Sequence, residues 1–139
     1  MLRVFVVLCS AALACLAVTG TAGAESLTNE NLVGTWVLDN GQCGQEDSEL
    51  IVFRKTGVVE SIRGGHVEAV GFWKVDDDDK IQLSVLAPPA AFDEKTKDVK
   101  GYYPFNITIV VFDVTGESFG GVGLLAEQLR RAKFTRCKA

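Results

Sequence analysis

The residues of this 139-residue chain that could do chemistry are few, and their spacing argues against most of it. The single histidine, His66, directly follows Gly64-Gly65; beside a glycine turn it reads as an exposed hairpin residue rather than a general base. Of the four cysteines, Cys9 and Cys15 lie in an apolar leader, while Cys43 and Cys137 stand far apart. If these two are oxidised, neither a thiol nucleophile nor a zinc ligand set remains. Glu60, Glu68 and Asp113 could form a carboxylate pair only by converging in the fold, and each sits on a strand face read as exposed. The contiguous acids Asp76 to Asp79 lack the alternate spacing and the glycine of a calcium loop and read as a solvated, self-repelling hairpin tip.

One further string invites a cofactor. Gly121-Val122-Gly123-Leu124-Leu125-Ala126 has the letters of a dinucleotide-binding turn. Too little chain follows for a second parallel strand, and no acidic ribose partner lies about 20 residues on. The expectation is therefore no enzyme, no cofactor and no metal.

The elements that must position any site begin after residue 24. Arg3, an apolar run from Val4 to about Val18, and Ala22-Gly23-Ala24 make up a secretory signal peptide cleaved before Glu25. The run is shorter than the ~20 residues of a spanning helix, so no stable membrane insertion is expected once it is removed. Lipidation at Cys15 is the alternative, disfavoured because the apolar run continues past it and a cleavage site follows. The location expected is periplasmic or secreted, where Cys43 and Cys137 pair as one structural disulfide. A loop of that length restricts the unfolded chain by about 4 to 5 kcal/mol. The net charge of −4 excludes non-specific binding to nucleic acid. The basic residues Arg130, Arg131, Lys133, Arg136 and Lys138 read as a solvated strand face.

Residues 25–139 form one domain, opening with a polar, aperiodic arm over 25–31 that is expected to be flexible. The stretch from Leu32 to Cys43 carries the first strand, and period-two alternation then predicts strands over 49–54, 58–63, 66–75 and 81–85. Lys55-Thr56-Gly57 and Gly64-Gly65 are hairpin turns. In the fourth strand Val67, Ala69, Gly71, Trp73 and Val75 share the core face. The stretch 87–103, with Pro88-Pro89 and a mixed charge run, is long enough to be a ligand gate or a tolerated insertion. Strands over 105–114, 117–124 and 130–137 follow, the last two joined by a tight connection or helical turn, with Phe134 facing the core. Seven or eight antiparallel strands joined by hairpins make an all-β up-and-down barrel or a sandwich. Cys43 follows the first strand and Cys137 ends the last; their pairing makes those strands neighbours, which favours the barrel.

Gly34-Thr35-Trp36 in the first strand, with an arginine in the last, resembles the lipocalin and wider calycin group. The resemblance implies an eight-stranded barrel in which the late arginine, Arg136 or Arg131 here, packs over Trp36 as a cation–π contact. The tryptophan strand soon followed by a cysteine is also similar to small bacterial inhibitors of metalloproteases. Residues 25–31 would then match the segment those proteins insert into a protease cleft, although the second cysteine lies at a different place. Avidins also begin with Gly-Thr-Trp, but with Trp36 and Trp73 alone biotin is not expected.

The function these readings support is a non-enzymatic binding module for a small apolar molecule held inside the barrel or under the 87–103 loop. Trp36, Phe53, Trp73, Leu83 and Ile109 are the expected lining, the same residues forming a packed core if the barrel is filled. The alternative is a periplasmic protease inhibitor acting through the arm, or a protein-interaction or structural envelope protein using the outer wall.

Overall fold

The computed structural model describes residues 25–76, 79–91, 95, 97–125 and 128–138. The leader, with Cys15 and the cleavage site, lies outside the described residues. Eight strands follow one another: β1 Gly34–Leu38, β2 Leu50–Phe53, β3 Val58–Arg63, β4 His66–Asp76, β5 Lys80–Ala87, β6 Tyr103–Phe112, β7 Ser118–Leu125 and β8 Gln128–Arg136. Each pairs antiparallel with the next and β8 returns to β1, so the sheet is a closed up-and-down barrel. Alternation decides which residues face inward. Ile81 and Val85 of β5, Ile107 and Val111 of β6, and Phe134 of β8 are all buried, while Val110, Phe112 and Leu124 at the opposite phase are exposed.

Most strand ends shift by one or two residues from the sequence reading, and two differences matter here. The sixth strand starts at Tyr103 rather than 105 and stops at Phe112, because Asp113 takes a left-handed φ of 52° and turns the chain. The residues expected to connect the last two strands are partly in β8: Gln128 and Leu129 pair with Leu125 and Leu124. The helical propensity of 124–132 gives way to ladder pairing, which places Ala132 and Phe134 on the inner face.

The seam carries the closure. Trp36, Val37 and Leu38 face Arg136, Thr135 and Phe134 across β1 and β8. Just beyond it the Cys43–Cys137 disulfide joins Cα atoms 5.6 Å apart across 94 residues of sequence.

Residues 25–31 are not a free arm, contrary to expectation. Asn29–Leu32 forms one helical turn, α1, capped by Thr28: the Asn31 amide donates to Thr28 Oγ1 and the Thr28 amide to Asn31 Oδ1. Tertiary bonds hold the turn under the barrel. The Leu27 amide donates to Asp79 Oδ1 at 3.1 Å and the Val75 amide to Asn29 Oδ1 at 2.9 Å. Leu27 and Leu32 are buried, Leu32 completely. Two leucines among polar neighbours show no period, so their anchoring depends on partners 40 or more residues away. Asp79 thereby becomes a tie rather than part of a self-repelling tip; Asp77 and Asp78 lie outside the described residues. At the base of the same hairpin, hydrogen bonds from Lys74 and Gln82 hold the Asp76 carboxyl below its ordinary value.

Leu32→Ala should cost about 2 to 5 kcal/mol in urea unfolding of the barrel; an unchanged midpoint would mean that the N-terminal turn is not part of the fold. Replacing Cys43 and Cys137 together by serine should lower stability by up to about 4 to 5 kcal/mol, read from the same transition.

Candidate ligand-binding cavity

The interior divides into a filled floor and an open upper half. Trp36 lies in the floor, 1% exposed. Its indole N–H donates to the Leu32 carbonyl at 2.8 Å, and the Arg136 guanidinium carbon sits 4.2 Å from the ring centroid. Arg136 in turn donates to the carbonyls of Asn31, Val33 and Gly116. Gly34 makes room for it: φ is 144°, and a Cβ there would lie 2.7 Å from Arg136 Nη1. Arg131 is elsewhere, exposed and paired with Val122. Phe119 meets Trp36 edge-on at 4.8 Å and stacks on Phe134 at 4.4 Å. On the other side Trp73 packs edge-on against Phe53 and donates to the Arg54 carbonyl at 3.1 Å.

Above this floor is a cavity of about 530 Å³ opening at the barrel's other end. Of the five residues expected to line it, Phe53, Leu83 and Ile109 do. Trp36 and Trp73 do not: both indoles are used in closing the floor, where the Trp36 N–H donates to the Leu32 carbonyl and the Trp73 N–H to the Arg54 carbonyl, which the Gly57 amide also reaches. The space itself comes from small residues that are not among those expected to line it. Ala69, Gly121, Gly123 and Ala132 face inward where larger side chains would fill the barrel. A Cβ at Gly121 would meet Ile109 Cγ2 at 2.7 Å, whereas one at Gly123 would meet nothing closer than 3.5 Å. Glycines two apart in a strand, a pattern that marks close approach of another group, are the signal for this space in the sequence.

The mouth is polar on one side. Arg63 is bonded to Glu49 at 2.8 Å and lies 3.7 Å from Glu68, and the Ser61 hydroxyl donates to Glu49 at 3.0 Å. Glu68 was expected on an exposed face. The β3–β4 register slips between Ser61 and Ile62, leaving Glu68 as the extra residue of a bulge, and the bend re-aims its carboxylate into the mouth. Glu60 instead pairs with Arg54 on the outer wall. Arg130 stands at the mouth, bonded to Gln128 at 2.9 Å. The 87–103 segment contributes Pro88, Ala90, Ala91 and Tyr102 to the rim, partly through the 3₁₀ turn Pro89–Ala91; residues 92–94 and 96 lie outside those described.

His66 is exposed at the β3–β4 hairpin and does not line the cavity. Among the described residues no three His, Cys, Asp or Glu side chains group as metal ligands would. What the arrangement can do is take an apolar body out of water beneath a hydrogen-bonding rim.

A closed eight-stranded antiparallel barrel, its first strand bearing a tryptophan under a last-strand arginine and its far end open, is a lipocalin-like fold. The chain is similar to the crystal structure of a lipocalin-like protein from Bacteroides thetaiotaomicron VPI-5482, with a TM-score of 0.50 and 22% identity over 77% of this chain and 97% of that one. At that identity the likeness is one of fold. Neither a protein-family model nor a curated protein sequence matches the chain.

Because Trp36 belongs to the floor, Trp36→Phe should cost about 1 to 3 kcal/mol in urea unfolding. The affinity of an apolar fluorophore for the cavity should stay within about twofold; a larger change would place Trp36 in contact with the ligand.

Proposed function

We propose that this protein is a non-enzymatic binding protein, exported to the periplasm or beyond, that carries a small apolar molecule in the open half of its barrel. The observation that carries the reading is the cavity of about 530 Å³, apolar in its depth and continuous with the mouth. Ligand sites commonly measure about 300 to 1,000 Å³, so it has room for one small molecule. The charged groups at the mouth favour binding over catalysis, since Glu49, Arg63 and Glu68 are engaged with one another.

Export is supported by the leader pattern of residues 1–24 and by the disulfide, a bond that persists in oxidising compartments. Among the described residues no helix is long and apolar enough to cross a membrane. The protease-inhibitor alternative draws no support from the arm, because inserting residues 25–31 into a cleft would first require withdrawing Leu27 from its buried place.

Gly123→Leu is the sharpest test, because the position opens into the cavity and its backbone tolerates a side chain. The variant should fold with stability within about 1.5 kcal/mol of the parent. Its affinity for the neutral fluorophore N-phenylnaphthylamine, followed by fluorescence enhancement, should fall at least about tenfold. Undiminished binding would put the ligand outside the barrel.

A further inference from the structure

The β7–β8 hairpin stands at the cavity mouth and presents a second, different surface to the outside. Leu124 and Leu129 are direct partners across it, in the opposite phase to the inward Gly123 and Arg130. They are 58% and 75% exposed. Below them on the same outer face Val122 pairs with Arg131 and Gly120 with Lys133, and half-exposed Val110 of β6 lies beside Val122. Arg131 and Lys133 are exposed and make no ion pair among the described residues. Beyond β6 the rim continues with exposed Lys97, Lys100, Tyr102 and Tyr103, with one acid, Asp98, between the lysines. The opposite rim has the other sign, carrying Glu46, Asp47, Glu49 and Glu68; Asp39 stands next to the basic face, its carboxylate accepting from the Lys133 amide. In a chain of net charge −4, the mouth is thus basic and apolar on one side and acidic on the other.

A solvated outer wall would carry polar side chains at the paired positions now held by Leu124 and Leu129. Exposed leucines near the end of the hairpin, tyrosines on the flank and cations just behind match the layers of a membrane surface. Aliphatic tips enter the headgroup–acyl boundary, tyrosines lie at headgroup depth and cations meet anionic headgroups. We infer that this face docks the barrel on an anionic lipid bilayer surface, with the cavity mouth turned toward the lipid. The inference uses only the outer wall and stands whether or not the cavity holds a ligand. A second exposed apolar group, Val70, Phe72 and Leu86 on β4 and β5, lacks the basic surround; the nearby Lys74 and Arg54 are paired with Asp76 and Glu60.

That second group supplies the internal control. In the full-length protein, Leu129→Trp and Phe72→Trp would be made separately and mixed with vesicles of acyl-brominated lipid, either phosphatidylcholine alone or with phosphatidylglycerol. Bromine quenching is short-ranged and the native Trp36 and Trp73 are buried, so quenching beyond that of the unsubstituted protein reports contact of the added indole with lipid, and adsorption through residues 1–24 does not imitate it. The fluorescence of Leu129→Trp should be quenched by the phosphatidylglycerol vesicles at least about twice as strongly as that of Phe72→Trp, and weakly by phosphatidylcholine alone. Adding Arg131→Glu and Lys133→Glu should reduce vesicle partitioning at least about tenfold. Equal quenching at the two sites, quenching at Phe72→Trp alone, or none would overturn the inference and leave the hairpin to a protein partner. Quenching that ignores phosphatidylglycerol or survives the charge reversals would overturn the anionic-surface assignment.

Discussion

The contact between Arg136 and Trp36 is the constraint on which the barrel depends. It lies where the last strand meets the first, and it does three things at once. The guanidinium covers the indole face at 4.2 Å, satisfies carbonyls of the N-terminal turn and the β6–β7 loop, and requires glycine at position 34 for space. A cation–π contact alone is worth about 0.5 to 2 kcal/mol. The larger effect is that three carbonyls of irregular backbone, two of them part-buried, are tied to one charged donor group. Sheet closure, the docking of Leu27 and Leu32 and the sealing of the floor therefore stand or fall together.

Dense packing and open space occupy different halves of the same tube. In the floor, large aromatics interdigitate: Trp36, Phe119 and Phe134 on one side, Phe53 and Trp73 on the other. In the upper half the inward positions shrink to glycine and alanine on β7 and β8. A barrel of eight strands is just wide enough to be filled by its own side chains or to hold one small guest, so this gradient of side-chain size decides the outcome along its length. The β3–β4 bulge adds a polar margin at the open end by bringing Glu68 to Arg63. The mouth is hydrogen-bonded where a ligand would enter and dry where it would rest.

Much of this was legible in the chain. Alternation in 69–75 and 81–85 gives the residues that face inward, whereas Val67, expected on the core face, is half-exposed beyond the Glu68 bulge; the distant cysteines make first and last strands neighbours. Strand ends were less legible because they turn on single backbone conformations, such as the positive φ of Asp113. All five candidate lining residues are named from the inward face of their strands; Phe53, Leu83 and Ile109 line the cavity, while Trp36 and Trp73 lie in the floor. Inward orientation can be read from parity; height along the barrel axis cannot, and height separates floor from cavity.

The sequence by itself determined the all-β class, the inward phase of most strands and the pairing of Cys43 with Cys137, because each follows from a period of two or from counting. Only the tertiary structure decided that the polar N-terminal segment is a capped plug, that two tryptophans close the floor, and that the bulged Glu68 turns into the mouth. Those features rest on partners far away in sequence and on the register of neighbouring strands. A one-residue slip or a long-range hydrogen bond leaves no periodic trace in the chain that contains it.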